Sequence, residues 1–215
     1  MARIILFGGH GRVALLTEPL LAARGDQVTA IIRSADQAEA VIAAGATPHV
    51  ADVETLDEHA IAELIIGHDA VVWSAGAGGG NPARTRAVDQ DAAIRTMTAS
   101  ALAGVPRFIM VSYFGSSPDH GVPEDHSFYA YAEAKAAADE HLRSTALDWT
   151  VLGPSTLTAD AGTGLIEARA EASSSVSRAN VAAVIAATLA DVGTTHRTIR
   201  FNDGETPILH ALAAR

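Results

Sequence analysis

Short apolar runs alternate with longer stretches of helical periodicity along most of the chain. The short runs are typical of strands in a sheet that is covered on both faces, where polar alternation is lost. Strands are predicted near 3–7, 28–32, 47–51, 70–74, 107–112, 149–153 and 197–201, and helices near 12–24, 35–44, 56–66, 83–103, 128–145, 179–191 and 206–213. This alternation predicts an α/β fold with a doubly wound, mostly parallel sheet.

The predicted elements follow one another without a linker or an internal repeat. A chain of 215 residues is long enough for one sizeable α/β domain and too short for a second large one. We therefore expect a single domain over residues 1–215. The segment 154–178 has no clear periodicity, and it is predicted to be an irregular segment on the substrate side of the domain.

A glycine-rich turn lies between the first predicted strand and the first predicted helix, in the order Gly8-Gly9-His10-Gly11-Arg12-Val13-Ala14. A strand, a glycine turn and a helix N-terminus together form a binding site for a diphosphate, as in the Rossmann fold. The spacing is G-x-x-G-x-x-A, and the alternative is an ordinary turn. Its position favours dinucleotide binding by residues 8–13.

The second predicted strand ends at Arg33-Ser34, where a Rossmann domain meets the adenosine ribose. An acidic residue there would bind the 2′-hydroxyl of NAD, whereas a guanidinium suits the 2′-phosphate of NADP. The chain has arginine at this position, and Arg12 adds a second cation in the glycine loop. We therefore expect NADP (NADPH) as the cofactor. The alternative is that Arg33 only caps a surface strand.

Further cofactor contacts are expected at the carboxyl ends of the next two strands. Asp52-Val53 follows the third strand, where the carboxylate could bind the adenine amino group or could cap the following helix. Ser74-Ala75-Gly76 follows the fourth strand, and its small residues leave room for the riboses of the cofactor.

Ser112, Tyr131 and Lys135 are the candidate catalytic residues. Ser112 ends the fifth strand, at the edge where open α/β sheets bind ligands. Tyr131 and Lys135 are four residues apart, so they share a helix face, and a nearby ammonium should lower the pKa of the phenol. Lys135 is the only lysine of the chain. The alternative is an ordinary Tyr/Lys pair on a solvated helix.

Composition excludes several other classes of function. The net charge of −10 and the pI near 5.2 argue against a nucleic-acid binder, and the absence of cysteine excludes disulfides and thiolate chemistry. No apolar run reaches membrane-spanning length, and no signal peptide precedes the first strand, so a cytoplasmic protein is expected. No metal site is predicted, because the histidines lack ligand spacing. The expected partner is a small-molecule substrate, with a monomer or homodimer.

Several motifs together resemble the atypical short-chain dehydrogenase/reductases, in particular the NmrA-like and biliverdin-reductase-B-like group. The resemblance runs nearly end to end and rests on Gly8–Arg12, Ala103–Phe108, Val111-Ser112, Tyr131–Lys135, Asp148–Leu152 and Val176–Ala182. It implies an NADP-preferring protein with the cofactor across the carboxyl edge of the sheet, and Lys135 on the nicotinamide ribose. Such proteins usually have Arg-Pro-Gly after the sixth strand, and this chain has Gly153-Pro154-Ser155. Pro154 is assigned to the cofactor site, and the arginine is missing.

The resemblance leaves two functions open. One is an NADP-dependent oxidoreductase that acts on a small carbonyl, quinone or flavin-like acceptor. The other is a non-catalytic redox sensor that binds the nucleotide and works through a protein partner, as some members of the group do. An extended sugar-nucleotide epimerase is less favoured, because such enzymes need a larger carboxyl-terminal domain.

Overall fold

The computed structural model describes residues 1–78 and 80–214. Its strands are β1 Arg3–Phe7, β2 Gln27–Ile32, β3 Thr47–Val50, β4 Ala70–Trp73, β5 Arg107–Val111, β6 Asp148–Pro154, β7 Thr156–Thr158, β8 Leu165–Glu167, β9 Ser175–Ser177, β10 Arg197–Asp203 and β11 Thr206–Pro207. Its helices are α1 Ala14–Ala23, α2 Ala38–Ala43, α3 Glu58–Ile65, α4 Pro82–Thr85, α5 Ala93–Leu102, α6 Tyr129–Ser144, α7 Arg178–Ala190 and α8 Ile208–Ala213. Two short 3₁₀ helices, Ala35–Gln37 and Val192–Thr194, and a π-helical stretch, Arg86–Ala92, complete the helical elements of these residues.

The main sheet has the strand order β3-β2-β1-β4-β5-β6-β10-β8-β11. In this spatial order, every neighbouring pair from β3 through β6 to β10 is parallel. The last two strands, β8 and β11, add an antiparallel edge. The prediction of a doubly wound, mostly parallel sheet is therefore confirmed. The strand order reverses between β1 and β4, and ligands bind at such a reversal in open α/β sheets.

Alternate residues of the central strands pack into different halves of the core. Ile4 and Leu6 of β1 face the side that carries α1, α7 and α8, and Ile5 and Phe7 face the side that carries α3, α5 and α6. All four side chains are fully buried. This double burial explains why the strand is a continuous apolar run in the sequence.

Two predictions of local structure need correction. The single helix expected over 83–103 consists of α4, a π-helical stretch Arg86–Ala92, and α5. The segment 154–178, expected to be irregular, contains three short strands. Of these, β8 extends the main sheet, and β7 pairs with β9 in a separate two-stranded sheet. These strands are only three residues long, so their sequences contain too few positions for a period-two pattern to be recognised.

Within the two described ranges, no helix combines the length and the apolar character that crossing a membrane requires.

Candidate nucleotide-binding and active site

The loop between β1 and α1 needs glycine at its first two positions. Gly8 has φ +83°, and a Cβ there would lie 2.6 Å from Cα of Ala75. A Cβ on Gly9 would lie 2.6 Å from Cβ of Ala30. Neither gap accommodates a methyl group, because the neighbouring atoms belong to backbone or to rigid side chains. The glycines therefore hold the loop tightly against β2 and the end of β4.

The loop leads into a helix N-terminus that no side chain caps. Val13 occupies the N-cap position without a side-chain hydrogen bond, and the first turn of α1 contains no acidic residue. Most helices satisfy their first N–H groups with a capping side chain or with a bound anion. The donor groups at this turn therefore fit the diphosphate of a dinucleotide.

A cleft of about 370 Å³ opens beside the loop, at the carboxyl ends of β1 to β4. Nine of the predicted cofactor residues line it: Gly8, His10, Gly11, Arg33, Asp52, Val53, Ser74, Ala75 and Gly76. The other six predicted cofactor residues are not among those that line it: Gly9, Arg12, Val13, Ser34, Lys135 and Pro154. The cleft therefore collects side chains from four separate strand ends, as a dinucleotide site requires.

Arg12 stands at the head of α1, next to Arg178 at the head of α7. The two helices pack against each other, and Arg24 Nη1 donates to the carbonyl oxygen of Ala186 at 2.5 Å. Burial, together with the nearby charge of Arg12, lowers the pKa of Arg178. Arg12 therefore lies near another cation and not on the cleft wall that Arg33 lines.

Arg33 lies at the end of β2, as predicted, and it does not stand alone. Its Nη1 is 4.0 Å from Oε1 of Glu54, which belongs to the turn after β3. Arg84 of α4 donates to the same oxygen from Nη2 at 2.8 Å and from Nε at 3.0 Å. These hydrogen bonds raise the pKa of Arg84. The residues that directly follow β2 in the sequence, Arg33 and Ser34, include no carboxylate, but the fold places the carboxylate of Glu54 beside Arg33.

Asp52 lines the cleft and does not cap a helix, so the capping alternative is wrong. Its Oδ1 accepts the N–H of Glu54 at 3.1 Å and closes the turn after β3. The residue that caps α3 is Asp57, whose Oδ1 accepts the N–H of Ala60 at 2.8 Å. The helix begins at Glu58, two residues later than the predicted 56–66, and its N-cap is the residue directly before it.

Ser112 is buried directly after β5, and its hydroxyl donates to Oδ2 of Asp139 at 2.5 Å. Ser116 donates to the same oxygen at 2.5 Å. Asp139 is fully buried on α6, one turn beyond Lys135. Two hydroxyls therefore donate to one carboxylate oxygen, so Asp139 retains one hydrogen bond if the other hydroxyl rotates away.

Lys135 is only 1% exposed, although it carries an ammonium group. Its Nζ donates to the carbonyl oxygen of Val111 at 2.9 Å and lies 3.4 Å from Sδ of Met110. Both contacts belong to the end of β5, immediately before Ser112. A lysine buried to this degree is rare in proteins unless it is paired or functional. The alternative that Lys135 lies on a solvated helix face is therefore wrong.

Tyr131 lies in an aromatic cluster with Tyr113 and Phe128, whose ring centroids are 5.6 and 5.0 Å from its own. Burial raises the pKa of Tyr131, and the charges of Asp89 and Asp139 raise it further. The lowered pKa expected from Lys135 is therefore wrong. The ammonium of Lys135 is directed to the end of β5, and the charges that act on the phenol are carboxylates.

Asp89 is a site residue that sequence reasoning missed. It is 2% exposed in the π-helical stretch, and its Oδ2 accepts the N–H of Ala77 at 3.0 Å. Burial raises its pKa, against the opposing effects of Lys135 and of the Ala77 N–H. The only signal in the sequence was an acidic residue next to the apolar Val88, and π-helical stretches occur often at functional sites.

Gly153 leaves space that a neighbouring arginine uses. It pairs in register with Arg200 of β10, and a Cβ on Gly153 would lie 3.2 Å from both Cγ of Arg200 and the carbonyl oxygen of Tyr113. The guanidinium of Arg200 lies 6.0 Å from the ring centroid of Phe114. A larger residue at position 153 would therefore be in tight contact with both neighbours and would need them to shift by a few tenths of an ångström. Pro154 follows as a buried residue at the end of β6.

Comparison with known proteins points to nucleotide binding. The family model described as NAD(P)H-binding matches residues 8–192. The uncharacterised sugar epimerase YhfK of Bacillus subtilis is 32% identical over 213 residues, which cover 98% of each chain. A solved structure from Bacillus halodurans, provisionally named an NAD-dependent epimerase/dehydratase, is 30% identical and superposes with a TM-score of 0.91 over 100% of both chains. The oxidoreductase ylbE of Lactococcus lactis is 28% identical, with a TM-score of 0.86 over 99% of this chain and 95% of its own.

Proposed function

The chain belongs to the NAD(P)H-binding family that matches residues 8–192, and on that premise we propose that it is an NADP-dependent oxidoreductase of the atypical short-chain type. It reduces a small carbonyl, quinone or flavin-like acceptor. The observation that carries the proposal is the buried ammonium of Lys135 at the end of β5, on the same sheet edge as the glycine-loop cleft. A buried ammonium is costly unless it is paired or functional, and this one donates a hydrogen bond to the residue that precedes Ser112.

The residues of the cleft fit a nicotinamide dinucleotide. The uncapped N-terminus of α1 would receive the diphosphate, and the small residues Ser74 and Gly76 would leave room for the riboses. Arg33 would bind the 2′-phosphate of the adenosine ribose. When bound, the nicotinamide supplies the hydride for reduction.

Tyr131 is assigned as the proton donor because it lies one helical turn before Lys135 on α6, and not because of its pKa, since a raised pKa makes the phenol a weaker acid. Its proton would pass to the acceptor oxygen as negative charge develops there. Lys135 holds the backbone of Val111 and so positions Ser112. The hydroxyl of Ser112 orients the acceptor oxygen by turning from Asp139, whose Oδ2 remains bonded to Ser116.

Catalysis is tested by NADPH oxidation with a panel of quinones, flavins and aldehydes, followed at the nicotinamide absorbance. Tyr131→Phe should lower kcat by about a hundredfold or more, the usual contribution of a general acid, with unchanged NADPH binding. Tyr129→Phe is the matched control, because the ring of Tyr129 meets His120 edge to face, outside the cluster of Tyr131, Tyr113 and Phe128. Full turnover by Tyr131→Phe on an acceptor of the wild-type protein would remove Tyr131 from the mechanism.

The second candidate function is a nucleotide-binding sensor that catalyses nothing. The space over Gly153, which the side chain of Arg200 occupies, favours it, because a residue that usually shapes the nicotinamide end is missing. A sensor would bind NADPH and turn over none of the panel. Turnover of any acceptor that is lost in Lys135→Ala would support the enzyme instead.

A further inference from the structure

A three-membered charge cluster forms the wall of the cleft on the adenosine side. Glu54 lies between the guanidinium groups of Arg84 and Arg33, and one oxygen, Oε1, faces both. Arg84 makes two hydrogen bonds to this oxygen, at 2.8 and 3.0 Å, whereas Nη1 of Arg33 stays at 4.0 Å. The carboxylate is therefore engaged by one arginine and only approached by the other.

Arg84, which hydrogen-bonds Glu54, is less exposed than Arg33, which does not. The side chain of Arg84 is 34% exposed, that of Glu54 is 24% exposed, and that of Arg33 is 56% exposed. A partly desolvated carboxylate needs a cation, because its hydration is incomplete. If Arg84 were absent, Arg33 would be the cation nearest to Glu54 among the described residues.

Pairing between Glu54 and Arg33 would oppose the binding of a phosphate. The fork of Arg33 would lose N–H groups to the carboxylate, and an uncompensated negative charge would face a phosphate monoester that carries about −1.5 to −2 itself. With Glu54 held by Arg84, the cluster keeps a net positive charge, and Arg33 keeps its donors.

We propose that Arg84 is a cofactor-selecting residue: by engaging Glu54 through two hydrogen bonds, it leaves Arg33 available for the 2′-phosphate of NADP. This inference rests on the proposed function, because it presumes that Arg33 meets the 2′ position of the ribose. It adds a positioning residue to cofactor recognition. No motif in the sequence points to Arg84, since it lies 51 positions after Arg33 in a different element.

Arg84 also makes a structural hydrogen bond, and the experiment must separate its effect from the effect of Arg84 on cofactor preference. Its Nη1 donates to the carbonyl oxygen of Ala77 at 2.7 Å, which ties α4 to the loop after β4. Loss of that contact would loosen the cleft for any dinucleotide. Selection through Glu54 would instead affect NADPH alone, and it would be reversed when Glu54 loses its charge.

The test is titration of four proteins with NADPH and with NADH: wild type, Arg84→Gln, Glu54→Gln and the double variant. Arg84→Gln should lower the preference for NADPH over NADH by about tenfold, the value of one charge-assisted hydrogen bond, because loss of the Ala77 contact affects both nucleotides alike. The double variant should regain the wild-type preference to within about threefold, because no carboxylate then competes for Arg33.

Arg95→Gln is the matched control. Arg95 anchors the same turn through the carbonyl oxygens of Val53, Glu54 and Leu56, but it makes no hydrogen bond to the carboxylate of Glu54. Its loss should weaken both nucleotides alike. The same pattern in Arg84→Gln, or an unrestored double variant, would overturn the role of Arg84 while the NADPH preference of the wild type stands. Equal binding of both nucleotides by the wild type would overturn the proposed cofactor and this inference together.

Discussion

Single residues at this site divide into those fixed by local geometry and those brought in by the fold. Gly8 could be identified from the sequence because a tight turn after a strand imposes a backbone conformation that favours glycine, and that requirement is local. Glu54 and Asp89 could not be identified, because their importance depends on neighbours that are distant in sequence, Arg33 and Lys135. The pKa of Tyr131 was predicted in the wrong direction for the same reason.

Glu18 gives a residue-scale prediction about pH and stability. It is fully buried in α1, its two carboxyl oxygens have no hydrogen-bond partner among the described residues, and burial raises its pKa to about 8. The folded state therefore holds a proton that the unfolded chain releases above its ordinary pKa near 4.5. This contribution to stability is fully present below about pH 4.5 and is lost as the pH rises towards 8, by up to about 1.4 kcal/mol per pH unit.

Urea unfolding at several pH values between 5 and 8 measures this effect, with Glu18→Gln as the comparison. The free energy of unfolding of the variant should fall less steeply with pH than that of the wild type. Asp89 contributes in the same direction in both proteins, so only the difference between the slopes is informative. Parallel profiles for the two proteins would mean that Glu18 does not hold the proton.

Elements were predicted well where they are long and less well where they are short or where two helical types join. β1 has the predicted bounds, and α6 lies within one residue of the predicted 128–145. The π-helical stretch Arg86–Ala92 was not foreseen, because its side chains follow the same apolar periodicity as an α-helix closely enough to be read as one. This stretch contains the buried carboxylate of Asp89, which accepts the N–H of Ala77.

The start of α3 gives a prediction at the element scale. Asp57 caps this helix through the N–H of Ala60, so Asp57→Ala should cost about 1 kcal/mol and lower Tm by about 2–4 °C. Asp57→Asn keeps the accepting oxygen and should lose much less. Thermal unfolding of the two variants beside the wild type provides the measurement. A Tm of Asp57→Ala equal to that of wild type would show that the cap adds nothing to stability.

At the scale of the whole molecule, the alternation of strands and helices was enough to predict the mostly parallel sheet. Period and element type are local properties, and the handedness of parallel connections restricts the possible arrangements to very few. The antiparallel edge formed by β8 and β11 was not predictable, because each strand is at most three residues long. Of these two strands, β8 belongs to the segment 154–178, where the sequence also failed to indicate a substrate.

The central claim, that the cleft selects NADP through Arg33, is tested most directly by titrating the purified protein with NADPH and NADH, wild type beside Arg33→Ala. Charge-assisted hydrogen bonds to the 2′-phosphate should make wild-type binding of NADPH about ten- to a hundredfold tighter than that of NADH. Arg33→Ala should lose most of this preference by weakening NADPH alone. Equal binding of the two nucleotides by wild type, or an unchanged preference in the variant, would contradict the account.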